Sequence, residues 1–226
     1  MNTAILIPAR LESKRFPNKM LAKINGKSLV KHVFDKCKEA NYDTYVVTDS
    51  MKIYNQFNSD TCFIEEQKYE NGTARCAGAT KHDFFRKYNQ FVNVQGDMFD
   101  IRPDMIDKTV WQLKHFPITT LYCDLKEGEQ TDVNVVKVIK TNDKALWFSR
   151  FVQHYGERHL GVYGYRHTSL SSYPLLSVPQ EERVEKLEQL RWLKAGWDIG
   201  CVKVNFTGEE VNTIADYEKL RVNTHV

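Results

Sequence analysis

Short apolar runs alternate with amphipathic segments along the first half of this chain. Residues 4–7, 44–48, 61–64, 91–94 and 118–122 are apolar or β-branched stretches, too short for helices and bounded by turn residues. That pattern predicts buried strands. Between them, apolar positions return every three or four residues. Residues 26–40 place Leu29, Val30, Val33, Phe34 and Cys37 on one helical face. Segments 73–87 and 102–113 follow, the second with Pro103 in its first turn, where a missing N–H costs nothing. Strands alternating with helices predict an α/β fold around a mostly parallel sheet.

The second half changes character. Residues 135–139, 145–149 and 160–165 read as strands of a β-rich lobe at about 133–180, embedded in a single domain of 1–226. Asn142-Asp143 supplies a turn between the first two strands. A helix over 180–195, a strand over 201–205 and a closing helix over 214–221 complete the expectation. On a continuous 180–195 helix, Val184, Leu187, Leu190 and Leu193 form an apolar arc. Glu185, Glu188, Gln189 and Trp192 share another, which is either a solvated face or a hydrogen-bonding face for a polyhydroxylated ligand. His159, Tyr163 and Tyr165 alternate on one strand and share a face, either a core patch with polar tips or a sugar platform.

Composition narrows the function classes. With 32 Lys and Arg against 29 Asp and Glu, the net charge is only +3, too balanced for a general nucleic-acid binder. Five scattered cysteines without C-x-x-C spacing speak against a zinc site or a disulfide framework and for a reducing compartment. No stretch approaches the length of a membrane span, and the first apolar run is too short for a signal peptide. A cytoplasmic protein without nucleic-acid or membrane partners is expected.

Positive charge is instead local. The first strand opens into a loop carrying Arg10, Lys14, Arg15 and Lys19, stiffened by Pro8 and Pro17 and holding one acid, Glu12. In open α/β sheets ligands bind beyond the carboxyl ends of strands. Crowded cations there repel one another unless an anion sits among them, and a triphosphate suits them. The run Gln95-Gly96-Asp97 ends another strand. A carboxylate facing bound phosphates suits Mg²⁺, although an Asp after a strand also serves as a turn or cap. Asn71-Gly72-Thr73 with Arg75 is a turn into a helix start, read as an N-cap or as an anion or carbonyl site.

Eight motifs occur together in order: I-P-A-R-x-x-S-x-R-F-P-x-K-x-L, V-V-T-D, N-G-T-A-R, V-N-V-Q-G-D, N-V-V-K-V, A-L-W-F-S-R, H-L-G-V-Y-G-Y-R and L-E-Q-L-R. In these the chain resembles the 3-deoxy-manno-octulosonate (Kdo) cytidylyltransferases, from about residue 2 to 222. The resemblance implies a nucleotide-diphosphosugar-transferase-like fold and a homodimer joining CTP to an eight-carbon acidic sugar, with release of pyrophosphate. It implies that Pro8, Ala9, Arg10, Arg15, Lys19, Gly72, Thr73, Arg75 and Gln95 hold CTP. Gln95, Arg150, His159, Tyr163, Glu188 and Gln189 would line the sugar site. Asp97 and Asn212 would take a magnesium ion, and Arg10, Arg15, Lys19 and Asp97 would carry catalysis.

The pattern is broken in places. Asn212-Thr213 stands where the family has Asp-Thr, so one negative charge is lost, for which Glu209, Glu210 or Asp100 are candidate substitutes. Met98-Phe99 follows Asp97 in place of Glu-Pro. Only eight residues separate Arg150 from His159, and Arg183 replaces a common His.

Overall fold

A computed structural model describes residues 2–13, 15–208, 211 and 213–223. The elements in chain order are β1 (Thr3–Ala9), β2 (Lys23–Ile24), β3 (Lys27–Ser28), α1 (Leu29–Lys38), β4 (Asp43–Thr48), α2 (Met51–Tyr54), β5 (Cys62–Ile64) and α3 (Gly72–Ala79). They continue as β6 (Gln90–Val94), α4 (Pro103–Gln112), β7 (Ile118–Cys123), β8 (Lys137–Thr141), β9 (Lys144–Ser149) and β10 (Glu157–Arg166). Then come α5 (His167–Ser172), α6 (Gln180–Glu185), α7 (Leu190–Lys194), β11 (Ile199–Lys203) and α8 (Ile214–Asn223).

Nine strands form one sheet in the order β5-β4-β1-β6-β10-β7-β11-β9-β8. The β5-β4-β1-β6 half is parallel throughout, as is β7-β11, whereas β10 and β9 run the other way. The β-rich segment expected as a lobe therefore lies within the central sheet: β10 is inserted between β6 and β7, and β8 and β9 extend one edge.

Helices cover both faces, so the central strands are buried on both sides and read as continuous apolar runs. β1 divides its residues between the layers. Ile5, Ile7 and Ala9 pack with α1 and α4 residues such as Val33 and Ile106, while Ala4 and Leu6 pack with Ala77 of α3 and the opposite layer. The five cysteines are buried free thiols. Among the described residues no helix is long and apolar enough to cross a membrane.

Several expected boundaries shift for local reasons. The 26–40 helix begins only at Leu29, because Asn25 and Gly26, at φ 49° and 78°, make the left-handed turn of the β2–β3 hairpin. The 73–87 helix stops at Ala79 and resumes as a 3-10 turn, Asp83–Lys87. The last strand is Ile199–Lys203, two residues earlier than expected.

The largest departure is the 180–195 helix, which breaks at Lys186, at φ 55°. A continuous helix would send Leu187 outward beside Val184, which is 57% exposed. The break turns Leu187 and Leu190 into the core instead. Trp192 is fully buried against Tyr165 and Tyr173. The expected polar arc of Glu185, Glu188, Gln189 and Trp192 is thus split, and Glu185 accepts from Ser149 Oγ at 2.6 Å and the Arg150 amide at 2.8 Å.

Candidate active site

Parallel pairing brings the carboxyl ends of β1, β4 and β6 to one edge of the sheet. Antiparallel β10, with Val162 opposite Val94, brings its own beginning to the same edge. The result is a cleft of about 1540 Å³, floored by the ends of β1 and β6 and by β10, and walled by the first loop, the 69–72 turn, the 129–136 segment and the α6–α7 break.

Close backbone approach shapes its floor. A Cβ on Gly72 would lie 3.1 Å from the Gln95 amide and 3.2 Å from Pro8 Cγ, and one on Gly96 would lie 2.9 Å from Met20 Sδ. The first loop therefore sits directly on the Gln95-Gly96-Asp97 turn. Lys19 is 6% exposed, and its ammonium is ion-paired to the Asp97 carboxylate. Arg10 and Arg15 line the same side.

On the neighbouring wall, Asn71 caps α3 by accepting from the Ala74 amide at 2.8 Å, and its amide donates to Tyr173 Oη at 2.8 Å. Arg75 extends from this helix into the cleft wall, where it donates to Asp49 Oδ2 at 2.6 Å and to the Glu65 carbonyl at 3.4 Å. Both partners hold the guanidinium in place in the cleft wall.

The opposite end is built from β9, β10 and the α6–α7 break. His159 Nε2 lies 2.9 Å from Thr120 Oγ1, which also reaches the Leu160 and Val162 carbonyls at 3.2 and 2.8 Å. The contact with Thr120 fixes the imidazole ring in the cleft wall. Burial, helped by the Arg150 charge, lowers its pKa to about 3, so it is neutral at pH 7 and too weak a base to take a hydroxyl proton. Glu188 accepts from Thr73 Oγ1 at 2.7 Å. Burial raises its pKa to about 6 despite that bond. Arg150 spends Nε on the Glu185 carbonyl at 3.2 Å and Nη1 on the Val133 and Asn134 carbonyls. Gln189 is 2% exposed, lines the cleft, and its Nε2 has no hydrogen-bond partner. Such a buried amide is costly unless a ligand accepts from it.

A family model described as Cytidylyltransferase matches residues 4–199. The 3-deoxy-manno-octulosonate cytidylyltransferase of Brucella anthropi is 36% identical over 98% of this chain and 96% of its own length. Its counterpart from Brucella ovis is 37% identical over 98% and 95%. The chain belongs to the Kdo cytidylyltransferases. The structure of a CMP:2-keto-3-deoxy-manno-octonic acid synthetase complexed with CTP superposes with a TM-score of 0.91 at 30% identity, covering 100% of this chain and 99% of that one. An inositol-1-phosphate CTP transferase from T. maritima shares the fold, with a TM-score of 0.72 at 16% identity over 98% and 94%.

Within this cytidylyltransferase, the cleft gathers Pro8, Arg10, Arg15, Lys19, Gly72, Arg75, Gln95, Asp97, Arg150, His159, Tyr163, Glu188 and Gln189. Two expected site residues are not on it. Ala9 is buried in the core with Ile5 and Ile7, and Thr73 is fully buried beneath Glu188 and Tyr165. Thr73 thus meets the cleft only through its hydrogen bond to Glu188. Asn212, like Lys14, Glu209 and Glu210, lies outside the described residues. Asp100 is not part of the cleft lining; it lies 3.7 Å from Lys36. Sequence reasoning missed Glu70, Glu129, Arg158 and Glu182, all on the cleft wall. The only signal for Arg158 was its place directly before His159.

Proposed function

We propose that this cytidylyltransferase transfers CMP from CTP to the anomeric hydroxyl of Kdo or a closely related acidic sugar, releasing pyrophosphate. One observation carries the reading: a single cleft joins a cationic phosphate end to a polyol-recognising end. Lys19, Arg10 and Arg15 form the first, and neutral His159, Glu188 and the unpartnered Gln189 amide form the second. The names and coverage of the relatives support the same assignment.

In this reading Arg10, Arg15 and Lys19 bind the triphosphate and offset the charge that grows on the leaving pyrophosphate. Gly72 and Pro8, stacked on Gln95, let the backbone approach the nucleoside, and Arg75, held by Asp49, borders it. At the other end the neutral His159 ring hydrogen-bonds a sugar hydroxyl, Gln189 donates, and Arg150 faces the carboxylate. The sugar hydroxyl is thereby held for in-line attack on the α-phosphorus.

Among the described residues no three His, Cys, Asp or Glu side chains converge on a metal-sized site. Magnesium is held by one or two carboxylates plus phosphate oxygens, so the Asp97 carboxylate beside the cationic loop fits that donor chemistry. Asp97 and Asn212 would hold the ion, which would supply neutralisation of phosphate charge. Release of Lys19 from Asp97 would then free the ammonium for the phosphates. A cytoplasmic homodimer, with 1–226 as one catalytic unit, completes the proposal.

The test is pyrophosphate release from CTP and Mg²⁺ with Kdo against a panel of other acidic sugars. Release that needs an acidic sugar supports the assignment. CTP binding without release for any sugar would replace it with a nucleotide-binding homologue.

A further inference from the structure

Arg158 is a residue of the cleft wall that no role above uses. It stands at the start of β10, 8% exposed, with its guanidinium 5.8 Å from the Phe206 ring. Its Nη1 lies 3.1 Å from Glu129 Oε1, yet that N–H group is buried and has no hydrogen-bond partner, because the ion pair is not aligned as a hydrogen bond. Both residues line the cleft. Glu129 is itself held in place, since its other oxygen accepts from the Lys126 amide at 2.8 Å.

A buried guanidinium with an unspent donor carries a desolvation cost that a ligand oxygen would remove. The neighbouring carboxylate decides which oxygen. Glu129 already balances the Arg158 charge, so a second carboxylate would add uncompensated negative charge at a buried site. A hydroxyl fits better, because it accepts from Nη1 and donates to Glu129 without altering the charge. A planar fork beside a carboxylate presents donor and acceptor side by side, which matches adjacent hydroxyls of a polyol.

We propose that Arg158 and Glu129 form a hydroxyl-reading pair that sets specificity for the acceptor sugar. The assignment rests on the acidic-sugar reading of the cleft. Arg158 is held by Phe206 and Glu129 before the acceptor arrives, so the pair is preorganised. It reads hydroxyl positions, while the carboxylate of the acceptor is left to Arg150.

A chemical double cycle tests this. The kcat/KM for Kdo and for singly deoxygenated Kdo analogues is measured in the wild type, in Arg158→Gln and in Glu129→Gln, with the melting temperature and the KM for CTP recorded in parallel. The wild type should lose about ten- to a hundredfold on at least one deoxy analogue, as expected for a hydrogen bond to a charged group. Each variant should lose about as much on Kdo and little further on that analogue, with the KM for CTP unchanged. Additive losses in both variants, every analogue penalised as in the wild type, would overturn the pair's role and leave only a structural ion pair. Should Arg158→Gln fail to fold, Glu129→Gln decides by the same cycle. Absence of wild-type turnover with any acidic sugar would overturn the proposed function and this assignment together, a result distinct from additivity in an active enzyme.

Discussion

Glu188→Gln isolates the energetic cost of an ionised carboxylate in the cleft. Burial raises the Glu188 pKa from 4.5 to about 6, against the lowering effect of the Thr73 hydroxyl. Below pH 4.5 the carboxyl is protonated in both folded and unfolded chains and costs nothing. As pH rises from 4.5 through 6, the unfolded chain loses its proton before the folded one does, so folding stability falls. The difference between 4.5 and about 6, at about 1.36 kcal/mol for each tenfold change in proton affinity, amounts to roughly 2 kcal/mol, fully present above pH 7. Gln keeps the shape and cannot ionise. The stability of Glu188→Gln relative to wild type should therefore rise by roughly 2 kcal/mol between pH 4 and pH 7. For a chain of this length that is a relative gain in melting temperature of about 4–8 °C. Thermal melts of both proteins across that range read it directly, and their difference cancels every other titrating group. A difference that stays flat with pH, or moves the other way, would refute the buried-carboxylate account. A loss of turnover in the same variant would show that the cost is retained for function.

Lys19→Ala should reduce turnover by about a hundredfold or more, as expected for removal of a charge that opposes a developing phosphate charge; retained activity would remove its phosphate role. Arg191→Ala should be strongly destabilising. This 3% exposed guanidinium forks onto Glu182 at 2.8 and 2.5 Å and reaches Glu70 at 2.6 Å. Its loss leaves Glu182 buried and uncompensated, at about 3–5 kcal/mol, seen as a lower denaturation midpoint that Arg191→Lys partly restores. Asn212→Asp should lower the Mg²⁺ concentration needed for half-maximal activity at least about tenfold. A dication and a carboxylate at ~4 Å attract by roughly 8 kcal/mol at an effective dielectric near 20, and a quarter of that suffices. An unchanged magnesium titration would place the ion elsewhere.

The alternation of strands and helices was legible because β1, β4 and β6 are buried on both faces, which leaves unbroken apolar runs such as 4–7. The cationic first loop was legible for a related reason: four cations with one acid make little sense without an anion. What escaped were features decided by tertiary contacts. The α6–α7 break depends on Leu187 and Trp192 finding the core, which a helical period cannot reveal. Thr73 reads as a ligand contact only through the N-G-T-A-R motif of the family resemblance. Its hydroxyl instead supports Glu188 from 115 residues away in sequence. Arg158 and Glu129 are separated along the chain and meet only because β10 turns back beside the 129–136 segment. The insertion of β10 between β6 and β7 ties the β-rich segment to the central sheet. An antiparallel strand carries no sequence mark of which neighbours it will join.

The most direct measurement of the central claim is the fate of the three phosphorus atoms of CTP, followed by ³¹P NMR with enzyme, Mg²⁺ and Kdo. The account predicts that the three triphosphate resonances give way to one phosphodiester and pyrophosphate in equal amounts, and that neither forms without the sugar. Persistence of CTP, or its conversion to CDP and inorganic phosphate, would contradict transfer of CMP through attack at the α-phosphorus.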